Sequence, residues 1–187
     1  RYRLGVLGRG WATTGDAQLT AEADGSITIL AGGAARGFRM VNGALHAAPG
    51  DYGVITRVGA VYTVREEDGT ETTFRPDGRL DFVTDRNGNR VTYRYDAAGR
   101  LTRMDHSNGE FLALAYLPTG RLASVTDSAG RVTAYGYDPT GEYLTTVTDA
   151  VGTTTYSYET GGTPQQRYAL RSVTAPGGLV TTFEYDA

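Results

Sequence analysis

The chain has 187 residues, a formal net charge of −3 and no cysteine. It is long enough for one sizeable core or an array of small ones, offers no global basic field to nucleic acid or anionic membranes, and excludes disulfide and thiolate chemistry. Thirteen Tyr and 26 Gly, with abundant Thr and Val, favour strands and turns, while no sustained 3.6-residue apolar pattern or apolar run near 18 residues occurs, so an all-β fold without a spanning helix is expected.

In chain order, the opening stretch is irregular. It carries LGRGW (Leu7 to Trp11), Leu19, a DG pair at Asp24 and Gly25, GFRM from Gly37, and the loop ALHAAPG around His46. Trp11, the single tryptophan, reads as a core anchor at the start of a sheet, with a ligand-facing sugar platform as the alternative.

From the DG at Asp68 onward the chain repeats itself. YRYDAAGRL begins at Tyr93 and YGYDPTGEYL at Tyr135, and the second aromatic of this phrase recurs every 21 residues at Phe74, Tyr95, Tyr116, Tyr137 and Tyr158. The following glycine keeps the same beat at Gly78, Gly99, Gly120 and Gly141, and a second turn ends at Gly88, Gly109, Gly130 and Gly152. Tyr143 is an extra residue, and the strand after it is one residue shorter, which restores the phase at Tyr158. A sixth copy ends at Tyr185 and Asp186, after a polar insert around Gly161 to Arg167. A fixed period of this kind marks a repeat architecture.

Each period encodes two strands of about seven residues, roughly 23 Å long, joined by glycine turns. Asp96, Asp127 and Asp138 stand where an Asx turn bonds its own backbone, which accounts for the D-x-x-G habit without a metal. The second strand alternates: Val91, Tyr93 and Tyr95 point one way, as do Leu112, Leu114 and Tyr116, then Thr133, Tyr135 and Tyr137, then Thr181, Phe183 and Tyr185. Tyr156 and Tyr158 continue the aromatic pair in the fifth copy. In the first strand Leu122 and Val125 are three apart, so a bulge or strong twist is expected there. One hairpin leaves both edges unpaired, so successive hairpins should pair edge to edge, with Tyr beside Tyr of the next repeat in one long, spiralling antiparallel sheet.

GRLASVTDSAGRVTAYGYDPTG (Gly120 to Gly141) and GRLDFVTDRNGNRVTYRYDAAG (Gly78 to Gly99) resemble the signature of the RHS or YD repeats, and the resemblance covers roughly residues 68 to 187. It implies a β-shell segment: residues 1–67 as the strand-rich opening of an RHS shell, and residues 68–187 as tandem YD repeats. In that family the sheet encloses a C-terminal toxin, as in bacterial RHS toxins and the cocoon of insecticidal toxin complexes, while a related barrel serves adhesion in teneurins. The implied protein is bacterial, secreted or associated with the cell surface, and its partners are the remaining repeats and a toxin domain of the same polypeptide. A carbohydrate-binding or adhesion module, contacting surface glycans, is the alternative. Arg1 is not an initiator Met and the chain stops at EYDA, where the pattern asks for another GR-L, so both ends read as cut and exposed strand edges invite self-association.

No catalytic residue, metal or cofactor is expected. His106 fills the repeat slot held by Asp85 and Asp127, and His46 has no visible partner, so a nucleophile and base or a zinc site is not supported. The carboxylates Asp85, Asp96, Asp127, Asp138 and Asp149 occupy turn positions rather than a glycosidase pair, and the spacing of calcium-binding β-rolls is missing. The recurring Arg94, Arg100, Arg121 and Arg131 come with balancing Asp and read as solvated strand faces and cation–π packing rather than a nucleic-acid platform.

Overall fold

A computed structural model describes residues 4–161, 166 and 168–185. Most of the insert before Tyr168, and Asp186 of the sixth copy, lie outside the described residues. The described chain is all-β apart from one turn of 3₁₀ helix at Thr14–Asp16, whose start is closed by the Thr13 amide donating to the Asp16 carboxylate at 3.0 Å. The described residues form two compact units, one of residues 12–113 and one that joins residues 4–11 to those from 114 onward.

In the first of these, β3 (Gln18–Ala21), β4 (Ile27–Ala31), β5 (Ala34–Val41) and β6 (Ala44–Ala47) form a four-stranded antiparallel meander. β7 (Val54–Val58), β8 (Val61–Arg65), β9 (Glu71–Phe74), β10 (Leu80–Thr84), β11 (Arg90–Tyr95), β12 (Leu101–His106) and β13 (Phe111–Tyr116) follow in the large antiparallel sheet. The strands alternate well enough for each sheet to bury one face: Leu19, Ile27, Ile29 and Phe38 from the small sheet meet Ile55, Val64, Phe74 and Leu80 from the large one in a single cluster. Ile27, Phe38 and Val64 are each 1% exposed, so this is a dry core. The two sheets are also tied through backbone: the Leu19 amide donates to the Gly78 carbonyl at 2.8 Å, and Gln18 bridges to Arg79.

In the other unit, β1 (Leu4–Gly5) and β2 (Gly8–Arg9) form a short hairpin. Its repeat strands are β14 (Leu122–Asp127), β15 (Val132–Tyr137), β16 (Leu144–Thr148), β17 (Thr153–Tyr158), β18 (Leu170–Thr174) and β19 (Val180–Thr182). Within each unit the strand order of the large sheet is chain order, the antiparallel hairpin array that the repeat period implies.

A bulge of the expected kind is present in the equivalent first strands of other copies. Tyr95 pairs with Leu101 while Arg94 pairs with Arg103, so Thr102 is the extra residue; Asp81, Thr145 and Arg171 occupy the same place after Leu80, Leu144 and Leu170. This explains the L-x-x-V spelling, because one surplus residue returns Leu and the residue three later to the same face. The expected Tyr-beside-Tyr ladder is not what forms. Tyr93 faces Met104, Tyr135 faces Val147 and Tyr156 faces Val173, because each repeat has two strands and an aliphatic strand lies between successive aromatic ones.

Candidate functional site

The repeat-defining residues converge on one structural device. Phe74 pairs with Leu80, Tyr95 with Leu101, Tyr137 with Leu144 and Tyr158 with Leu170, each at a bulge. Among these residues Phe74, Leu80, Leu122 and Leu144 are at most 3% exposed. The aromatic hydroxyl then reaches back to the first strand of its own hairpin. Tyr137 Oη donates to the Leu122 carbonyl at 2.8 Å, Tyr158 Oη to Leu144 at 2.7 Å and Tyr185 Oη to Leu170 at 2.8 Å. This satisfies a carbonyl next to the bulge and locks ring to backbone at the repeat's own period. Burial pushes the Tyr137 phenol up to about 12, against an opposing pull from Arg121, so it stays a neutral donor across the ordinary pH range. Tyr137→Phe keeps the ring and removes only the donor, so a loss of about 1–2 kcal/mol in denaturant unfolding is expected, with the β-sheet circular dichroism unchanged.

Tyr95 differs from this set. Its hydroxyl is buried without a hydrogen-bond partner, and Arg75 and Arg79 lie 5.5 and 5.7 Å from its ring centre. Burial drives its phenol up to about 12.

The turns behave as their residues dictate. In three D-x-x-G turns the glycine amide donates to the Asp carbonyl at 2.9 Å, Gly99 on Asp96, Gly130 on Asp127 and Gly141 on Asp138, whereas the Gly152 amide donates to the Asp149 carboxylate at 3.2 Å. The Asp side chain accepts further amides: Asp127 from Ala129 and Arg131, and Asp138 from Glu142 and Tyr143. These bonds hold Asp96 and Asp127 below the usual carboxylate range, chiefly through the backbone amides of Arg100 and Arg131. At Gly78 and Gly120, where no Asp stands three residues earlier, the glycine amide donates to the Arg75 and Leu117 carbonyls, each at 2.9 Å. His106 copies the Asp role, its Nδ1 accepting from the Asn108 amide at 3.2 Å. His46 sits on β6 opposite Arg39. Among the described residues no group of three or more His, Cys, Asp or Glu is placed to hold a metal. The recurring arginines pair with carboxylates, Arg94 with Asp105, Arg100 with Asp96 and Arg131 with Asp127, whereas Arg121 donates to the Gly141 and Gly5 carbonyls. The close ring contacts fall to other arginines, Arg90 on Phe82 and Arg103 on Phe111.

The N-terminal hairpin is fastened to the repeats of its own unit. The Leu122 amide donates to the Val6 carbonyl at 2.8 Å, the Arg9 amide to Glu142 at 2.7 Å, and Arg9 Nε meets the Glu142 carboxylate at 2.6 Å. Gly8 has φ +90°, and a Cβ there would lie 2.5 Å from the Glu142 carbonyl oxygen, so the approach requires glycine. Trp11 donates its indole N–H to Tyr158 Oη at 2.9 Å and sets its ring edge against Tyr156 at 5.2 Å. The remaining aromatics of this region, Tyr143, Tyr158 and Tyr168, form a chain of ring contacts at 5.0–5.1 Å.

In the other unit a cavity of about 290 Å³ lies where the small sheet meets the large one, lined by Ala31, Ala34, Ala35, Val83, Phe74 and Tyr93 among others. Nearby, Arg36 bridges Asp51, at 2.6 and 2.7 Å, and Glu66, at 3.0 Å. The guanidinium holds Asp51 below the usual carboxylate range. Three features escaped sequence reasoning: the leucine row, the Arg36 cluster and the contact of Tyr143 with Tyr168. The leucines carried a usable signal, since GRL recurs with the period; the Arg36 partners are scattered over loops and carried none.

Residues 83–110 and 116–154 match the family model described as RHS Repeat, and the chain carries repeats of the RHS/YD-repeat family. Among solved structures, the crystal structure of TcdB2-TccC3-Cdc42 shares 16% identity with a TM-score of 0.43, covering 82% of this chain and 9% of that one. A structure of the Photorhabdus luminescens Tc holotoxin pore shares 17% identity with a TM-score of 0.45, covering 79% and 9%. The chain therefore spans a small part, 9%, of the length of these structures. No curated relative matches it. Among the described residues no helix is long and apolar enough to cross a membrane.

Proposed function

We propose that the chain is a non-enzymatic structural segment of a longer bacterial RHS-repeat protein, secreted or held at the cell surface, and that it forms part of a β-shell around a toxin cargo carried by the same polypeptide. The supporting observation is the Leu–Tyr device, which recurs with the repeat: the Tyr hydroxyl bonds within its own hairpin while the Tyr backbone pairs with the Leu of the next. Such a lattice stabilises by repetition. Among the described residues, the ionisable groups of the repeat turns cap those turns or pair with arginines, and Tyr137 packs as a neutral phenol. The outer edges of β7 and β19 take further strands of the same polypeptide, and in an isolated segment they pair with other copies instead. The strand-rich first 67 residues serve as the opening of the shell, and their small sheet closes the buried face of β7 to β10.

Limited proteolysis of the full-length polypeptide tests this reading. A C-terminal domain should survive protease while the repeats are intact and be cleaved once the Arg121–Gly141 repeat is deleted. Rapid cleavage of that domain in the intact protein, or a full-length chain with no domain after the repeats, would overturn it.

A further inference from the structure

The small sheet tapers along its inner face. Across the β4–β5 ladder Ile27 pairs with Phe38 and Ile29 with Arg36, but the last pair is Ala31 with Ala34. Successive members stand two apart on each strand, so all of them share one face. Two methyl groups, where the preceding pairs set large side chains, cannot reach across to the opposing sheet, and the cavity of about 290 Å³ opens there. Ala31 and Ala34 are exposed at its mouth, whereas Val64, Phe74 and Leu80, each at most 3% exposed, form its floor.

Polar groups join this apolar lining at Arg36, Glu66 and Tyr93. Arg36 donates to both Asp51 and Glu66 at 2.5–3.0 Å, so one guanidinium is held between two carboxylates and the cluster carries one negative charge in excess. Glu66, its side chain about one-third exposed, presents that excess to the cavity. Burial alone pushes the Tyr93 phenol up, so it lines the cavity as a neutral hydroxyl.

An open cavity of this size with a buried apolar floor suits the body of one small molecule, and an excess carboxylate beside it favours a cation over an anion. We propose that the pocket binds a small amphiphilic amine, its apolar ring resting on Phe74 and Leu80 and its ammonium at Glu66. The sign of the charge decides against an aromatic or fatty acid: Arg36, the group that would receive a carboxylate, is already committed to two. This site does not depend on the shell reading.

The 187-residue chain, isotopically labelled for amide NMR, is titrated with 2-phenylethylamine and tryptamine and, in parallel, with their carboxylate counterparts phenylacetate and indole-3-acetate. Saturable shifts of the Ala31, Ala34 and Val83 amides are expected, with the amines binding about tenfold more tightly than the acids. Ala34→Leu fills the space from an exposed position, so its thermal melt should hold or rise while amine affinity falls about tenfold. Glu66→Gln leaves Arg36 its Asp51 partner and removes the excess charge, so amines and acids should then bind alike. No saturable shift with either amine, acids binding the parent as tightly as amines, amine affinity unchanged in Ala34→Leu, or a preference for amines that survives Glu66→Gln would overturn the proposal.

Discussion

Replacing Phe74 by alanine is expected to destabilise the chain by about 3–5 kcal/mol, the range for emptying a buried aromatic site. Phe74 is 2% exposed, pairs with both Tyr62 and Leu80, and belongs to the cluster that joins the small sheet to the large one. The site cannot collapse readily, because the Leu19 amide on the Gly78 carbonyl and the Gln18 side-chain amide on the Asp77 carbonyl hold the two sheets in place on its flank. Phe183, 39% exposed, is the control: alanine there should cost less than about 1 kcal/mol. Denaturant unfolding of both variants reads the difference. Equal, small losses would show that the two sheets do not seal on β9.

The second large effect is expected at a glycine. Gly78 and Gly88 both adopt φ near +80°, so alanine at either incurs left-handed strain of about 1–2 kcal/mol. They differ in what surrounds them. A Cβ on Gly88 enters open space, whereas one on Gly78 would sit 2.1 Å from the Leu19 carbonyl oxygen. Gly88→Ala should therefore cost the strain alone, and Gly78→Ala the strain plus separation of β3 from the turn, which exposes part of the Ile27, Phe38 and Val64 core. Thermal melts of the pair, with amide exchange at Leu19, measure this. Faster exchange at Leu19 is expected only in Gly78→Ala, and equal melts would refute the docking of β3 on this turn.

The repeat was legible because its residues act locally. Turn glycines need positive φ, Asp needs only its own following amides, and strand alternation needs only the next residue. The three-residue spacing of Leu122 and Val125 pointed to a bulge for the same reason, and one forms at the equivalent Leu80, Leu101, Leu144 and Leu170. The aromatic ladder was misread because cross-strand neighbours are set by how many strands a repeat contains: placing Val147 beside Tyr135 requires knowing that the partner of an aromatic strand is the first strand of the next repeat.

Sequence alone thus determined the all-β class, the 21-residue unit, its turns and its likeness to the RHS/YD repeats. Tertiary structure alone decided that Phe38 and Ile27 of the irregular opening cap the first repeats, that Arg36 gathers Asp51 and Glu66 from distant loops, and that Tyr143 meets Tyr168. The reason is range. Turn chemistry and strand period are written within a few residues, whereas packing between sheets and between insertions depends on surfaces that exist only once the chain has folded back on itself.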